Sequence, residues 1–175
     1  NGSIMRLAAV PCTYAYDIEI GNSVARAQSK TTHASTLAEE CSHYLNELIT
    51  HLFQGSSLDD ARGILSKQTW SDPLTYALLI ELKGLDAAAI KSSGYVVDTL
   101  QAAIWAVQTT KSFEAAVLKA VNLGDDADTV GAVTGQIAGA MYGYSKVPKA
   151  LKSGLFDERK LYVTSQLLCT PRINA

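Results

Sequence analysis

The segment from Ser35 to Leu52, STLAEECSHYLNELITHL, decides the fold class. Its apolar residues recur at steps of three and four, which is the period of an α-helix with one buried face. Ser35 is the type of residue that caps the start of a helix, and Gly55 follows the apolar pattern. The segment therefore predicts a long amphipathic helix. Its buried stripe comprises Leu37, Ala38, Cys41, Leu45, Leu48, Ile49 and Leu52.

The sequence on both sides shows the same helical period. We expect a helix from Ser3 to Tyr16 that Pro11 kinks or breaks, followed by a short one from Ile18 to Gln28. Further helices are predicted from Ser57 or Asp59 to Leu65, from Asp72-Pro73 to Leu82, from Tyr95 to Val107, from Phe113 to Val121, through Val130 to Met141, and as two short helices between Pro148 and Leu168. No strand-like alternation occurs, so we predict an all-α, compact bundle that forms a single domain over residues 1–175.

The composition of the 175 residues is that of an ordinary globular domain, with 47% apolar and 18% charged residues and a formal charge of −2. No block of Lys and Arg occurs, so nucleic acid is not an expected partner. No apolar run approaches the ~18 residues of a membrane span. Cys12, Cys41 and Cys169 are scattered and odd in number, which favours a reducing, cytoplasmic compartment over a disulfide framework.

An acidic segment, NLGDDADT at residues 122–129, directly precedes a predicted helix. Its like charges repel one another unless a cation or hydrogen-bond donors compensate them. One interpretation is that Asp126 or Asp128 caps the helix and interacts with its dipole. The other is that Asp126, Asp128 and Thr129 offer oxygen ligands to a hard cation such as Mg²⁺, Mn²⁺ or Ca²⁺. The spacing alone leaves both open.

A glycine stripe follows, with Gly131, Gly135, Gly139 and Gly143 at every fourth position. Glycine in a helix interior costs about 0.8–1 kcal/mol relative to alanine, so the stripe needs a packing reason. We expect close approach of a neighbouring helix along this face, and therefore a central helix that holds the acidic segment rigidly.

Four motifs occur in order along the chain. They are NGSIMR at residues 1–6, TH at 32–33 followed by Ala38, GYVVDT at 94–99, and GDDADTVGAVTGQIAG at 124–139. In this set the sequence resembles the ADP-ribosylglycohydrolases, whose prototype is the dinitrogenase reductase activating glycohydrolase. Asp125 stands where a second glycine is common in that family.

The resemblance implies an orthogonal multi-helix bundle and a dinuclear Mg²⁺ or Mn²⁺ site held by Asp126, Asp128 and Thr129. It also implies hydrolysis of the glycosidic bond between ADP-ribose and an acceptor on a protein or small molecule, classically an arginine side chain. Two metal ions would clamp the ribose hydroxyls and activate a water molecule. The residues implied to contact the substrate are Asn1, Gly2, Ser3, His33 and Tyr95.

Three other polar residues are assigned structural roles. Arg6, within the first motif, is expected to be a buried ion-pair partner. His43 and His51 share one face of the long helix with no acidic residue at a spacing that would complete a site, so we assign them to surface or packing.

The sequence departs from the family in lacking its N-terminal half, which carries a Thr-Asp-Asp motif and the acid-base carboxylate; Asp59-Asp60 follows Leu58 instead of Thr. The catalytic acid or base is therefore unknown in this chain. We favour a C-terminal piece of a cleaved enzyme whose N-terminal fragment, with Thr-Asp-Asp, stays bound as a partner. The alternatives are a sequence that omits residues of a longer chain, and a relative that binds ADP-ribose or a protein without hydrolysis.

Overall fold

The computed structural model describes residues 1–70, 82 and 84–170. These residues form helices and connecting turns without any strand, which confirms the all-α prediction. The predicted helix from Asp72-Pro73 to Leu82 lies, apart from Leu82, outside the described residues. The α-helices are α1 (Gly2–Met5), α2 (Ala9–Tyr14), α3 (Ile18–Lys30), α4 (Thr36–Phe53), α5 (Leu58–Leu65), α6 (Val96–Gln108), α7 (Phe113–Val121), α8 (Ala127–Tyr142), α9 (Lys149–Ser153) and α10 (Glu158–Cys169).

Serine side chains begin three of these helices, as the sequence predicts. Ser35 accepts a hydrogen bond from the backbone N–H of Ala38 at 3.1 Å, and Ser112 does the same at the start of α7. Of the two residues proposed to open α5, Ser57 is the cap. Each hydroxyl satisfies a backbone donor that the first turn of a helix leaves unpaired.

The hydrophobic core is built around α4, α6 and α8. Helix α4 packs against α3 and α5, while α8 packs against α6, α7 and α4. Helix α6 is predominantly apolar, and residues 102–107 are all buried. A helix with this composition lies inside a bundle rather than at its surface. The acidic segment and the GYVVDT motif lie at the N-terminal ends of α8 and α6, so two helices of the core position both of them.

The predicted helix from Ser3 to Tyr16 is two helices, and the break precedes Pro11. Helix α1 ends at Met5, and α2 starts at Ala9. A proline ring clashes with the carbonyl four residues earlier and has no N–H to donate. The chain therefore restarts its helix just ahead of Pro11, which places the proline in a first turn where no donor is needed.

Among the residues that the structure describes, the glycine stripe provides close approach at one position. A Cβ atom on Gly131 would lie 2.8 Å from Cγ1 of Val121 in α7. A Cβ on Gly139 would be at an ordinary 4.0 Å from Phe113, and one on Gly135 would meet nothing within 4 Å among the described residues. Gly143 follows the helix with a φ of +80°. The central position of α8 is confirmed, and among the described residues close packing is found at Gly131 alone of the stripe.

The C-terminal helices leave apolar side chains exposed. Neither α9 nor α10 contains a buried residue, and Phe156, between them, is 96% exposed. Leu167 in α10 is 69% exposed. No helix within the described ranges has the length and hydropathy of a membrane span.

Candidate metal and substrate site

A tight turn brings the acidic segment to the start of α8. Gly124 and Asp125 both have left-handed backbone conformations, with φ of +78° and +53°. Asp and Asn are among the few non-glycine residues that adopt this conformation readily. The turn is tied to the loop before α6, because Asp126 N–H donates to the Ser92 carbonyl at 3.0 Å and the Ser92 hydroxyl donates to the Gly124 carbonyl at 2.8 Å.

The Asp126 side chain does not cap α8, although Asp126 occupies the capping position. Its Oδ2 accepts a hydrogen bond of 2.6 Å from Nδ2 of Asn1, and its Oδ1 accepts one of 2.8 Å from Oγ1 of Thr129. These two bonds, the Asn1 bond foremost, lower the pKa of Asp126 below its ordinary value. The capping interpretation therefore fails for Asp126, whose carboxylate points towards residues from the start of the chain.

Asn1 joins α8 to α6. The same Nδ2 atom donates to Oγ1 of Thr99 at 2.9 Å, and Thr99 is fully buried. The Thr99 hydroxyl in turn lies 3.1 Å from the Ser93 carbonyl. Sequence reasoning did not select Thr99 as a site residue, although it is the last residue of the GYVVDT motif. Its place in that motif is the sequence signal from which Thr99 could have been predicted as a site residue.

The loop before α6 holds the neighbouring motif residues. The Ser93 hydroxyl donates to Asp98 at 2.6 Å and accepts from the Tyr95 N–H at 3.1 Å. A Cβ on Gly94 would lie 3.7 Å from Oδ2 of Asp126, so Gly94 lines the acidic site. Tyr95 follows directly and is 53% exposed. Its predicted contact with a substrate stays a prediction.

His33 lies against the first motif. A Cβ on Gly2 would be 3.0 Å from Cε1 and 3.4 Å from Nε2 of the His33 ring, so only a small residue at position 2 allows this approach. Nδ1 of His33 is 2.8 Å from the Thr32 hydroxyl, which leaves Nε2 as the ring nitrogen facing Gly2. The structure thus brings together the NGSIMR and TH motifs.

Helix α1 is anchored by side chains from α3 and α8. Nε2 of Gln136 donates to the carbonyls of Ile4 and Met5 at 3.0 and 2.9 Å, and Gln28 donates to the Ser3 carbonyl at 3.1 Å. These bonds satisfy carbonyls that a short helix leaves unpaired at its end. Ser3 is fully buried, so a direct contact of its side chain with substrate stays a prediction.

The expectation that Arg6 is a buried ion-pair partner is wrong. Arg6 is exposed, and its guanidinium donates to the Gln28 carbonyl at 2.8 Å and to the Thr32 hydroxyl at 2.8 Å. The end of α3 supplies several neutral acceptors at once, and a planar guanidinium can satisfy them together. Arg6 therefore fixes the residue that precedes His33.

A separate polar cluster joins α3 and α4. The buried carboxylate of Glu47 accepts hydrogen bonds from His43 at 2.9 Å, from Asn22 at 2.6 Å and from Gln68. Arg26 donates to Nδ1 of His43 at 2.6 Å, so the ring proton is on Nε2 and faces Glu47. Burial raises the pKa of Glu47, but the bonds from His43 and Gln68 outweigh it and the net shift is downward. The assignment of His43 to surface or packing is incomplete, because Glu47, one helical turn away, is its acidic partner.

The oxygen atoms of Asp126, Asp128 and Thr129 fit one side of a hard-cation site. Asp126 and Thr129 are hydrogen-bonded to each other, and Asp128 is exposed on the first turn of α8. All three offer oxygen, the ligand that Mg²⁺ and Mn²⁺ prefer. Within the part of the chain that the structure describes, no group of three or more Asp, Glu, His or Cys side chains is placed to hold a metal ion. These residues alone provide an incomplete ligand set.

Comparisons with known proteins agree with the motif pattern. The chain is 37% identical to the ADP-ribosylarginine hydrolase Tri1 of Serratia proteamaculans, over 92% of this chain and 44% of the relative. It is 30% identical to the ADP-ribosyl-[dinitrogen reductase] glycohydrolase of Rhodospirillum rubrum, over 89% of this chain and 50% of the relative. The chain spans about half the length of these relatives.

A solved structure described as an ADP-ribosylglycohydrolase-related protein complex superposes with a TM-score of 0.84 at 31% identity, over 97% of this chain and 59% of that one. The sequence profile of ADP-ribosylglycohydrolase matches residues 1–172. Four motifs occur in order, three of them meet around Asp126, and the TH motif contacts the first of these three at Gly2; the chain belongs to the ADP-ribosylglycohydrolase family.

Proposed function

We propose that the protein hydrolyses the glycosidic bond between ADP-ribose and an acceptor, with ADP-ribosylated arginine on a protein as the first acceptor to test. The observation that carries this proposal is the meeting of Asn1, Thr99 and Asp126, which come from three motifs far apart in the sequence. The relatives named above as hydrolases support the reaction class. Because the chain spans about half of their length, the activity belongs to the whole protein.

Asp126, Asp128 and Thr129 would hold the metal ions, Mg²⁺ or Mn²⁺. Two divalent cations carry a charge of +4, whereas Asp126 and Asp128 contribute −2, so further carboxylates must come from elsewhere in the protein. A Thr-Asp-Asp motif outside this chain would supply them, together with the acid-base carboxylate. The ions would supply Lewis-acid activation of water for the attack on the glycosidic bond.

The residues of this chain would orient the site and bind the nucleotide. The hydrogen bond from Asn1 fixes the direction of the Asp126 carboxylate, and Thr129 fixes its other oxygen. Nε2 of His33 lies next to the backbone of Gly2, where the imidazole and the main chain would contact ADP-ribose together. Tyr95, on the adjacent loop, would line the pocket.

The test compares Asp126→Asn with Asp125→Asn in the whole protein. Both changes remove one charge from the same turn, but Asp125 is exposed and Asn tolerates its left-handed backbone. With ADP-ribosylarginine as substrate and Mg²⁺ or Mn²⁺ added, Asp126→Asn should abolish turnover while the helical circular dichroism signal stays near that of wild type. Asp125→Asn should keep most of the activity. If Asp126→Asn retains activity within about tenfold of wild type, the metal assignment is wrong.

Two further measurements separate hydrolysis from binding alone. His33→Ala should weaken ADP-ribose binding in calorimetry, and an unchanged dissociation constant would remove His33 from the pocket. A whole protein that binds ADP-ribose, has little affinity for Mg²⁺ and turns over no substrate would instead be a non-hydrolytic relative. Intact mass under native and denaturing conditions would reveal a second polypeptide with a Thr-Asp-Asp motif, if one is bound.

A further inference from the structure

Two of the three cysteines meet in the folded chain, although they lie near opposite ends of the sequence. Cys12 is in α2 and Cys169 is the last residue of α10, and these two helices pack against each other. Both thiols are free and both line one cavity of about 570 Å³, whose wall also includes Tyr16 and Phe53. The two cysteines therefore share one site across the contact between α2 and α10.

The two thiols differ in their access to solvent. Cys169 is exposed, whereas Cys12 is only partly accessible. Burial, followed by the neighbouring Cys169, raises the pKa of Cys12 to about 12. A soluble reagent therefore meets Cys169 first, because exposure and thiolate character control the reactivity of cysteine. Cys12 is then the nearest thiol to any adduct on Cys169.

We propose that Cys12 and Cys169 form a modification site, a dithiol that a low-molecular-weight disulfide such as oxidised glutathione converts into a disulfide bond between α2 and α10. The Cys169 thiolate attacks one sulfur of the reagent, breaks its S–S bond and releases one small thiolate. Cys12 then loses its proton to solvent and attacks Sγ of Cys169, which forms the Cys12–Cys169 bond and expels the second small thiolate. The protein loses two electrons and two protons, and the reagent gains them as two thiols.

The bond would constrain a helix at the surface of the bundle. Helix α10 contains no buried residue, although it packs against α2. A disulfide stabilises by restricting the unfolded chain, and the effect grows with the length of the loop that it closes. The loop here includes nearly the whole chain. We expect the oxidised protein to melt at least about 5 °C above the reduced one.

The test is oxidation of the whole protein with oxidised glutathione, followed by alkylation of the remaining thiols and mass spectrometry of non-reduced peptides. The expected product is a cross-linked pair of peptides containing Cys12 and Cys169, with a mass lower by two hydrogens. Cys12→Ala and Cys169→Ala should each abolish it. Cys41→Ala is the matched control, because Cys41 is buried in α4 and its removal should leave the cross-link intact.

Three outcomes would overturn the proposal. The first is a stable glutathione adduct at Cys169 without a cross-link, and the second is a dimer joined through Cys169. The third is an intramolecular cross-link that still forms in Cys169→Ala and so does not involve Cys169. The last variant changes an exposed residue at a helix end, so it stays folded even if Cys12→Ala does not. A cross-linked protein with an unchanged Tm would refute the stabilisation of α10.

Discussion

Replacing Gly135 with alanine should stabilise the protein. A Cβ at this position in α8 meets no heavy atom within 4 Å among the described residues, so the added methyl group has room. Alanine is about 0.8–1 kcal/mol more favourable than glycine in a helix interior. We therefore expect the free energy of unfolding to rise by that amount, and Tm to rise by about 2–4 °C.

Gly131→Ala is the matched control, since it makes the same change one turn earlier in the same helix. Its Cβ would lie 2.8 Å from Cγ1 of Val121, the last residue of α7. Valine has a stiff side chain, so α7 and α8 must move apart. Overpacking of this kind costs about 1–3 kcal/mol, which offsets or exceeds the gain in helix propensity. The control should therefore be less stable than Gly135→Ala by about 1–3 kcal/mol.

Urea unfolding followed by far-UV circular dichroism measures both changes, provided that the slope of the transition stays constant. The reasoning fails if Gly135→Ala is less stable than wild type, or if the two variants have equal stability. Comparing this chain with a longer form of the protein adds information. If Gly135→Ala lowers the free energy of unfolding only in the longer form, another segment of that form packs against this face of α8.

Three further predictions concern buried or capping hydrogen bonds. Glu47→Gln should lower the free energy of unfolding by about 2–4 kcal/mol near neutral pH, because an amide N–H₂ must then face a donor. Because the folded protein lowers the pKa of Glu47, the ionised carboxylate stabilises the fold at pH values above its ordinary pKa of 4.5, and this stabilisation is lost as pH falls through the lowered pKa. Unfolding curves at acid pH should therefore show a smaller difference in the free energy of unfolding between wild type and Glu47→Gln. Ser35→Ala should cost about 1 kcal/mol in the same assay, and Ser35→Asp should restore most of it. Asn1→Asp should destabilise the protein at neutral pH by placing two carboxylates together, and thermal melts should show this loss shrinking as pH falls.

Local pattern predicted most of the helices, because their signals are local. Ser35, Ser57 and Ser112 are capping residues in the sequence and cap helices in the structure. The sequence pattern predicts a kink or break at Pro11, whereas the structure breaks the helix between Met5 and Ala9, because a proline disrupts the helical turn that precedes it. The stripe of glycines indicates a packed face, but which side chains lie against it depends on the tertiary structure, and within the described ranges Val121 alone comes closer than 3.4 Å.

The candidate site was predicted through motifs rather than through geometry. The resemblance selected Asn1 and Asp126, yet nothing in their local sequence indicates that one amide group bridges Asp126 and Thr99. The Glu47 cluster and the pair of Cys12 and Cys169 were missed for different reasons. The Glu47 cluster has a local signal, since Glu47 is four residues after His43 in the same helix. The cysteine pair has none, because no spacing rule relates two positions so far apart in the sequence.

The burial of residues 102–107 in α6 has a consequence for how the molecule opens. Amide hydrogens in the middle of α6 should exchange with solvent only when the whole domain unfolds, because no local fluctuation exposes residues 102–107. Those of α10, which buries no side chain, should exchange much earlier through local detachment. Asp126 is tied through Asn1 to Thr99 in α6, so the acidic site shares the protection of the slowest-exchanging helix. Its geometry should therefore persist through the fluctuations that release the C-terminal helix.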